Sequence, residues 1–262
     1  MKNHLSAVVG VPALPGTLNY DGTPFSQIVD QCVAEAKQLY SYGIRDILIQ
    51  NIGDLPMIQK PGKDTTAFMS VVASKVRDAL PNDCEIGISV LMNDGEGELA
   101  AAEASGADYI RAKIYVGAMV AAGGIETSCM DEVLQLKQRL GSAVKIRADI
   151  HDRTGVPLGN PSLTDACEQA LSKGLADVLI ITGKNPEETL SMVHEVKTAF
   201  PHTEVHIGGG AKPSNLKEFL KEADGIVVGS YLKKDGKIFE SLDHSRLTEF
   251  MNAWQKAAEG EE

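Results

Sequence analysis

VHIGGGAKPSNLKEFLKEADGIVVGSYLKKDG, running from Val205 to Gly236, holds two short apolar strands that each end in glycine. Val205-His206-Ile207 meets Gly208-Gly209-Gly210, and Ile226-Val227-Val228 meets Gly229-Ser230. A short helical segment opened by Pro213 and Ser214 separates them. Glycine lets main-chain N–H groups approach an anion with no Cβ in the way. A helix start beside those amides adds positive potential. Two such strand ends in succession, late in a strand–helix chain, match the phosphate site built after the last two strands of a TIM barrel. The pattern predicts that Gly209, Gly210, Gly229 and Ser230 hold the phosphate of a small molecule.

Outward from this stretch, apolar runs of strand length recur, each followed by a helical period. Strands are expected at 7–11, 46–51, 85–91, 109–114, 144–150, 178–182, 205–208 and 226–229. Helices are expected at 25–42, 66–80, 97–105, 130–140, 164–173, 186–200 and 214–221, because apolar residues recur there every three or four positions. A last helix starts from Asp243 as N-cap and aligns Leu247, Phe250, Met251 and Trp254 on one face. Glycines such as Gly43, Gly106 and Gly174 stop helices before the next strand. Eight strand–helix units without a linker predict one α/β domain, a single (β/α)8 TIM barrel over 1–258 with an acidic tail at 259–262. An open doubly wound sheet is the alternative, although no early GxGxxG accompanies it.

Composition narrows the partners. The 262 residues, 43% of them hydrophobic, suffice for one barrel and its core. A net charge of -11 repels nucleic acid and anionic lipid, so an anionic ligand must be held by local amides and a few placed cations. Cys32, Cys84, Cys129 and Cys167 lack CxxC spacing, which points to a reducing, cytoplasmic setting. The start of the chain reads as a first strand, not a signal peptide, and no apolar run is long enough to span a bilayer. The helices at 25–42 and 243–255 offer faces for a homo-oligomer, although core packing explains their apolar stripes equally well.

In a barrel the chemistry sits at the C-terminal strand ends. Here those ends carry Gln50-Asn51, Asn93-Asp94, Arg111 and Lys113, Asp149 and His151, and Thr182-Gly183-Lys184. Period two places Ile110, Ala112 and Ile114 toward the helices and Arg111 and Lys113 inward; it likewise turns Lys145, Arg147 and Asp149 inward. Inward charges must be paired or bound to ligand. One reading is a charged pocket in which Arg111 and Lys113 meet an anionic substrate and Asn51 and Asn93 bind its hydroxyls. The other is an internal salt-bridge layer, which suits the deeper Lys145 and Arg147. Asp149 and His151 form the best acid–base pair for isomerase- or lyase-type proton transfer. No cofactor is expected; a divalent metal on Asp149, His151 and Glu126, and a Schiff base on Lys113, are the minor alternatives. His206 reads as a core histidine.

Several blocks resemble the BtpA (BtpA/SgcQ) family: PALPG at 12–16, LIQNIGDLP at 48–56, SVLMND at 89–94, YIRAKIYVGA at 109–118 and ADIH at 148–151. GIVVGSYLKKDG at 225–236, followed by Asp243 and Arg246, is especially similar. The resemblance runs in order through nearly the whole chain. It implies a barrel of the ribulose-phosphate-binding type. Through the family's photosystem I biogenesis member it also implies a second function class, a non-catalytic assembly or regulatory factor. The chain departs from the family pattern at Gly10, Gln50, Lys113, Asp152-Arg153 and around Thr182-Gly183-Lys184, while the glycines at the phosphate end remain. These departures predict a substrate different from that of its relatives, or a loss of catalysis.

Overall fold

The computed structural model describes residues 3–259, in which strand and helix alternate from His4 onward. The elements are β1 (His4–Gly10), α1 (Phe25–Ser41), β2 (Asp46–Gln50), α2 (Lys63–Ala79), β3 (Glu85–Ser89), α3 (Gly95–Ser105) and β4 (Tyr109–Ala112). A hairpin of β5 (Ala118–Ala121) and β6 (Gly124–Thr127) precedes α4 (Met130–Leu140) and β7 (Lys145–Ile150). Then follow β8 (Val156–Pro157), α5 (Leu163–Ser172), β9 (Val178–Ile181), α6 (Pro186–Ala199), β10 (Glu204–Ile207), α7 (Leu216–Glu222), β11 (Gly225–Val228) and α8 (His244–Glu259).

Eight strands close a parallel barrel in the order β1-β2-β3-β4-β7-β9-β10-β11, with β11 pairing back to β1. All eight expected strands are present, and the open-sheet alternative is set aside by that closure. The acidic tail expected at 259–262 lies, beyond Glu259, outside the described residues. Two expectations need correction. The helix after the triple glycine begins at Leu216 and spans only 7 residues, so Pro213 and Ser214 lie in the preceding turn. The segment between β4 and α4, where no strand was expected, carries β5 and β6, which form a separate three-stranded sheet with β8.

Local chemistry sets the helix ends. Asp94, Ser162 and Asn185 each accept a main-chain N–H of the first turn of α3, α5 and α6. Pro186 occupies the first turn of α6, where its missing N–H is harmless. Gly106 and Gly141 end α3 and α4 in the left-handed region. Asp243 accepts from Ser245 N at 2.9 Å, as an N-cap of α8 should.

Two kinds of core result. Outward strand residues such as Ile47, Ile88, Ile110, Ile146 and Ile181 pack with the buried helix faces. Inside the barrel a small cluster of Val8, Leu48, Tyr109 and Val227 forms a separate layer. Room for it comes from glycine. Gly87 pairs with Tyr109 across β3 and β4, and the Tyr109 ring fills the place a side chain at 87 would take. Gly225 pairs with His206, whose ring lies 2.6 Å from where a Cβ at 225 would sit.

Below this layer, at the N-terminal end, Arg147 bridges Asp46 at 2.6 Å and Glu85 at 2.8 Å and lies 3.4 Å over the Tyr109 ring. Burial opposes ionisation of Asp46, but Arg147 and the hydrogen bonds from His4 and Ser6 outweigh it and hold the carboxyl well below its usual range. The expected salt-bridge layer therefore exists around Arg147. His206 is the buried core histidine anticipated, bonded to Glu204 at 2.7 Å. Lys145 stays at the rim of this layer, 56% exposed.

Candidate functional site

The opposite end of the barrel gathers the residues that sequence singled out. Arg111 on β4 and Asp149 on β7 both turn inward and meet in a fork: Nε donates to Oδ2 at 2.8 Å and Nη2 to Oδ1 at 2.9 Å. Their side chains are only 6% and 1% exposed. Nη2 also reaches the Gly208 carbonyl at 3.3 Å, tying β4 and β7 to the end of β10. Bidentate pairing of this kind fixes orientation as well as charge. Asp149 therefore enters any chemistry as a carboxylate already engaged by a guanidinium.

Lys113 pairs with Asp152, which also accepts from Thr154. Burial would raise the Asp152 carboxyl, but Lys113 and Thr154 overcome it and hold it far below the ordinary carboxylate value. Lys113 and Asp152, two positions at which the resemblance led us to expect departures from the family pattern, pair with each other. His151 follows in a left-handed conformation with φ 51°, a region that His, Asn and Asp visit more than other residues. Its Nε2 is buried without a partner, and desolvation lowers the ring below the usual histidine range. At neutral pH the imidazole is uncharged, ready to accept or relay a proton.

Asp149, His151 and Lys113 line one cavity of about 160 Å³, roofed by Met119 of β5 and Pro157 of β8. β5 and β8, which the sequence did not predict, thus contribute to the wall of the cavity that holds the acid–base candidates.

Asn51 and Asn93 are placed differently from expectation. Asn51 is fully buried; it donates to Asp54 and to the Leu91 carbonyl and accepts from Leu91 N at 2.6 Å. Asn93 donates to the Ile114 and Thr127 carbonyls and accepts from Ile114 N at 2.9 Å. Both amides staple loop to strand, and their hydrogen-bonding groups are taken up by the protein in place of a substrate hydroxyl.

The glycines divide. Gly209 and Gly210 lie open, Gly210 with φ +80°, and nothing stands within 4 Å of a side chain at 210. No protein acceptor exists among the described residues for the N–H groups of Gly209, Gly210 and Ser230. Gly229, by contrast, sits under Ile238, whose Cδ1 would lie 3.1 Å from a Cβ there. Ile238 comes from the loop between β11 and α8, which folds back so that Lys233 bridges Leu242. Ser230 is exposed at the start of a short 3-10 turn.

Glu126 is buried on β6, not grouped with Asp149 and His151 as a ligand set. Among the described residues the one cluster with metal-ligand spacing is His4, Asp46 and Glu85, at the other end of the barrel. Arg147 already bridges both of those carboxylates, so a guanidinium occupies the place a divalent ion would take.

Sequence reasoning passed over other groups. Glu98 on α3 is 1% exposed and accepts from Val90 N at 2.8 Å; burial raises its carboxyl well above the usual value. Lys233 and Glu35 form a buried pair beside Cys32 in a cavity of about 410 Å³ between α1 and the loop after β11. The Lys233–Glu35 pair could not be seen in one dimension, because 198 positions separate its members.

The sequence pattern described as the BtpA family matches residues 1–256. An uncharacterized protein of Pyrococcus horikoshii is 30% identical over 260 residues, covering 98% of this chain and 97% of its own. The photosystem I biogenesis protein BtpA of Synechocystis sp. is 30% identical over 254 residues, 96% of this chain and 88% of its own. Among solved structures, 3-hexulose-6-phosphate synthase superposes with a TM-score of 0.61 at 14% identity, over 95% of this chain and 99% of that one. The shared fold is thus that of a TIM barrel. No helix among the described residues is long and apolar enough to cross a membrane.

Proposed function

The chain belongs to the BtpA family, and from that premise we propose that it is an enzyme acting on a phosphorylated sugar or nucleotide-like metabolite by acid–base chemistry of isomerase or lyase type. The observation that carries this reading is the set of unpartnered main-chain N–H groups at Gly209, Gly210 and Ser230, on the same rim as the forked Arg111–Asp149 pair. Amides aimed at one side of a barrel mouth suit a phosphate. The name 3-hexulose-6-phosphate synthase attaches a phosphosugar to one barrel of the same fold. Arg111 orients an anionic part of the substrate, and Asp149 holds Arg111 in place. Neutral His151 moves the proton, with Lys113 close to the developing charge. No step calls for a cofactor.

Calorimetry with sugar phosphates and their unphosphorylated counterparts tests the reading. Phosphorylated members should bind at least about tenfold tighter, as charge-assisted hydrogen bonds to one group imply. Solvent deuterium should also enter a carbon of the bound ligand. Equal binding of both classes, or none, refutes it.

One observation favours the assembly or regulatory factor. Eight of the eleven exposed large apolar side chains lie in the segments that follow barrel strands, either in loops or on β5, β6 and β8: Leu18, Leu55, Ile58, Val120, Ile125, Val156, Leu158 and Phe239. Val120 pairs with both Ile125 and Val156, making a contiguous apolar strip across β6-β5-β8. Such a patch suits a protein partner. Co-purification of a partner that Val120→Asp abolishes and His151→Gln leaves intact would support this reading over the enzyme.

A further inference from the structure

Beside the mouth, between the ends of β7 and β9, a second cavity of about 180 Å³ is lined by His151, Asp152, Arg153, Thr182, Lys184 and Glu188. Thr182 is 4% exposed, and its Oγ1 has no hydrogen-bond partner. A buried hydroxyl in that state is costly unless something outside the protein completes it. The hydroxyl packs where a side chain on Gly208 would be, next to Arg111 Nη2. Only glycine at 208 leaves both donors this room.

The charge around the cavity is unbalanced. Asp152 is neutralised by Lys113. The Glu188 carboxylate accepts from Lys184 N at 2.5 Å. Among the described residues neither Arg153 nor the Lys184 ammonium has a carboxylate partner, while Asp152 is already paired with Lys113, which lies outside the lining. The Arg153 guanidinium stands beside Gly209: its Nη2 would lie 3.5 Å from a Cβ there and is the one atom within 4 Å. So an unpaired cation and an unpaired buried hydroxyl line the cavity, and each stands beside the triple glycine that carries the open amides.

We infer that this cavity is the seat of a phosphoryl oxyanion, with Arg153 and Thr182 Oγ1 as its side-chain donors and the Gly209 and Gly210 N–H groups closing it from the β10 side. The inference rests on the proposed phosphorylated substrate and assigns its phosphate to the β9–β10 side of the rim, away from Gly229, which Ile238 covers. Arg153 and Thr182 thereby become the residues that select a phosphomonoester.

The full chain is titrated with inorganic phosphate by calorimetry, with acetate as the carboxylate comparison. Saturable phosphate binding is expected, tighter than acetate. Arg153→Gln should weaken it about tenfold and Thr182→Val about fivefold, the loss of one charge-assisted and one neutral donor. Lys173→Gln, on the exposed end of α5, should change nothing. Unchanged affinity in both site variants, equal loss in Lys173→Gln, acetate binding as tightly as phosphate, or no phosphate binding by the wild type overturns the inference. If phosphate binds through Arg153 and Thr182 but sugar phosphates bind no tighter than phosphate, the seat stands and the substrate reading falls. If sugar phosphates bind and both variants match wild type, the substrate reading stands and the seat falls.

Discussion

Replacing Arg111 by Met is the sharpest probe of the mouth. The change keeps the length and apolar stem of the side chain and removes the guanidinium. Asp149, with its side chain 1% exposed, then loses the donors at 2.8 and 2.9 Å and stays where water does not reach. With charge centres about 4 Å apart and an effective dielectric near 20, the lost attraction is about 4 kcal/mol. Stranding one partner of a buried pair costs about 3–5 kcal/mol, so the two routes agree. The double variant Arg111→Met/Asp149→Leu strands nothing and should recover to within about 1 kcal/mol of wild type, a coupling of at least about 3 kcal/mol. Urea unfolding with a constant m-value gives all four corners of the cycle. A cost below about 1 kcal/mol for Arg111→Met would show that the pair is not dry, and the argument from burial would fail. The folded double variant also separates structure from function: it should bind no sugar phosphate. Wild-type binding by it would leave the fork a purely structural brace.

Other outcomes follow from the same geometry. Gly87→Ala drives a methyl into the Tyr109 ring and should cost about 1–3 kcal/mol, partly restored by Tyr109→Leu, as read from melting curves. Asp152 has a folded pKa below its unfolded value of about 3.9, so its contribution is complete above that pH and disappears as pH falls toward the folded value. Asp152→Asn should therefore flatten the loss of stability on acidification below about pH 5; an unchanged slope refutes the Lys113 pairing. Glu98→Gln keeps an acceptor for Val90 N and should be neutral at pH 7, whereas Glu98→Leu should cost about 1–3 kcal/mol in urea unfolding. All four cysteines are buried, and burial pushes the Cys32, Cys84 and Cys167 thiols up to about 12. A thiol reagent should label none of them quickly in the native protein and all four in urea.

The barrel was legible because each of its strands is short, apolar and followed by a helical period. Asp46 and Tyr109 begin expected strands and observed ones alike. Inward and outward faces also followed from alternation, which is why Arg111, Arg147 and Asp149 point as read. The β5–β6 hairpin was not legible. Its strands are four residues each, and β8, the strand that completes their sheet, is two residues long and lies beyond β7. Pairing that depends on a distant partner leaves no local period. The site was half legible. Strand parity brings Asp149 to Arg111 without further help. It gives no hint that Lys113 chooses Asp152, or that Asn51 and Asn93 turn into loop backbone, because those contacts are fixed by loop closure. Glycine was the most ambiguous letter: Gly210 marks open rim, whereas Gly87 and Gly225 mark neighbours too large to share space.

Ile238 closes the Gly229 side of the rim. Its side chain lies beside Gly229 and Gly10, so an oxygen arriving at Gly229 would first have to displace an isoleucine of the same polypeptide. Occupancy there and the posture of residues 234–241 become a single equilibrium. Each ~1.4 kcal/mol by which the chain prefers its own side chain weakens apparent affinity tenfold. Phe239, 60% exposed at the crown of that loop, travels with the isoleucine, which makes a fluorophore at 239 a reporter of arrival at a site it never touches.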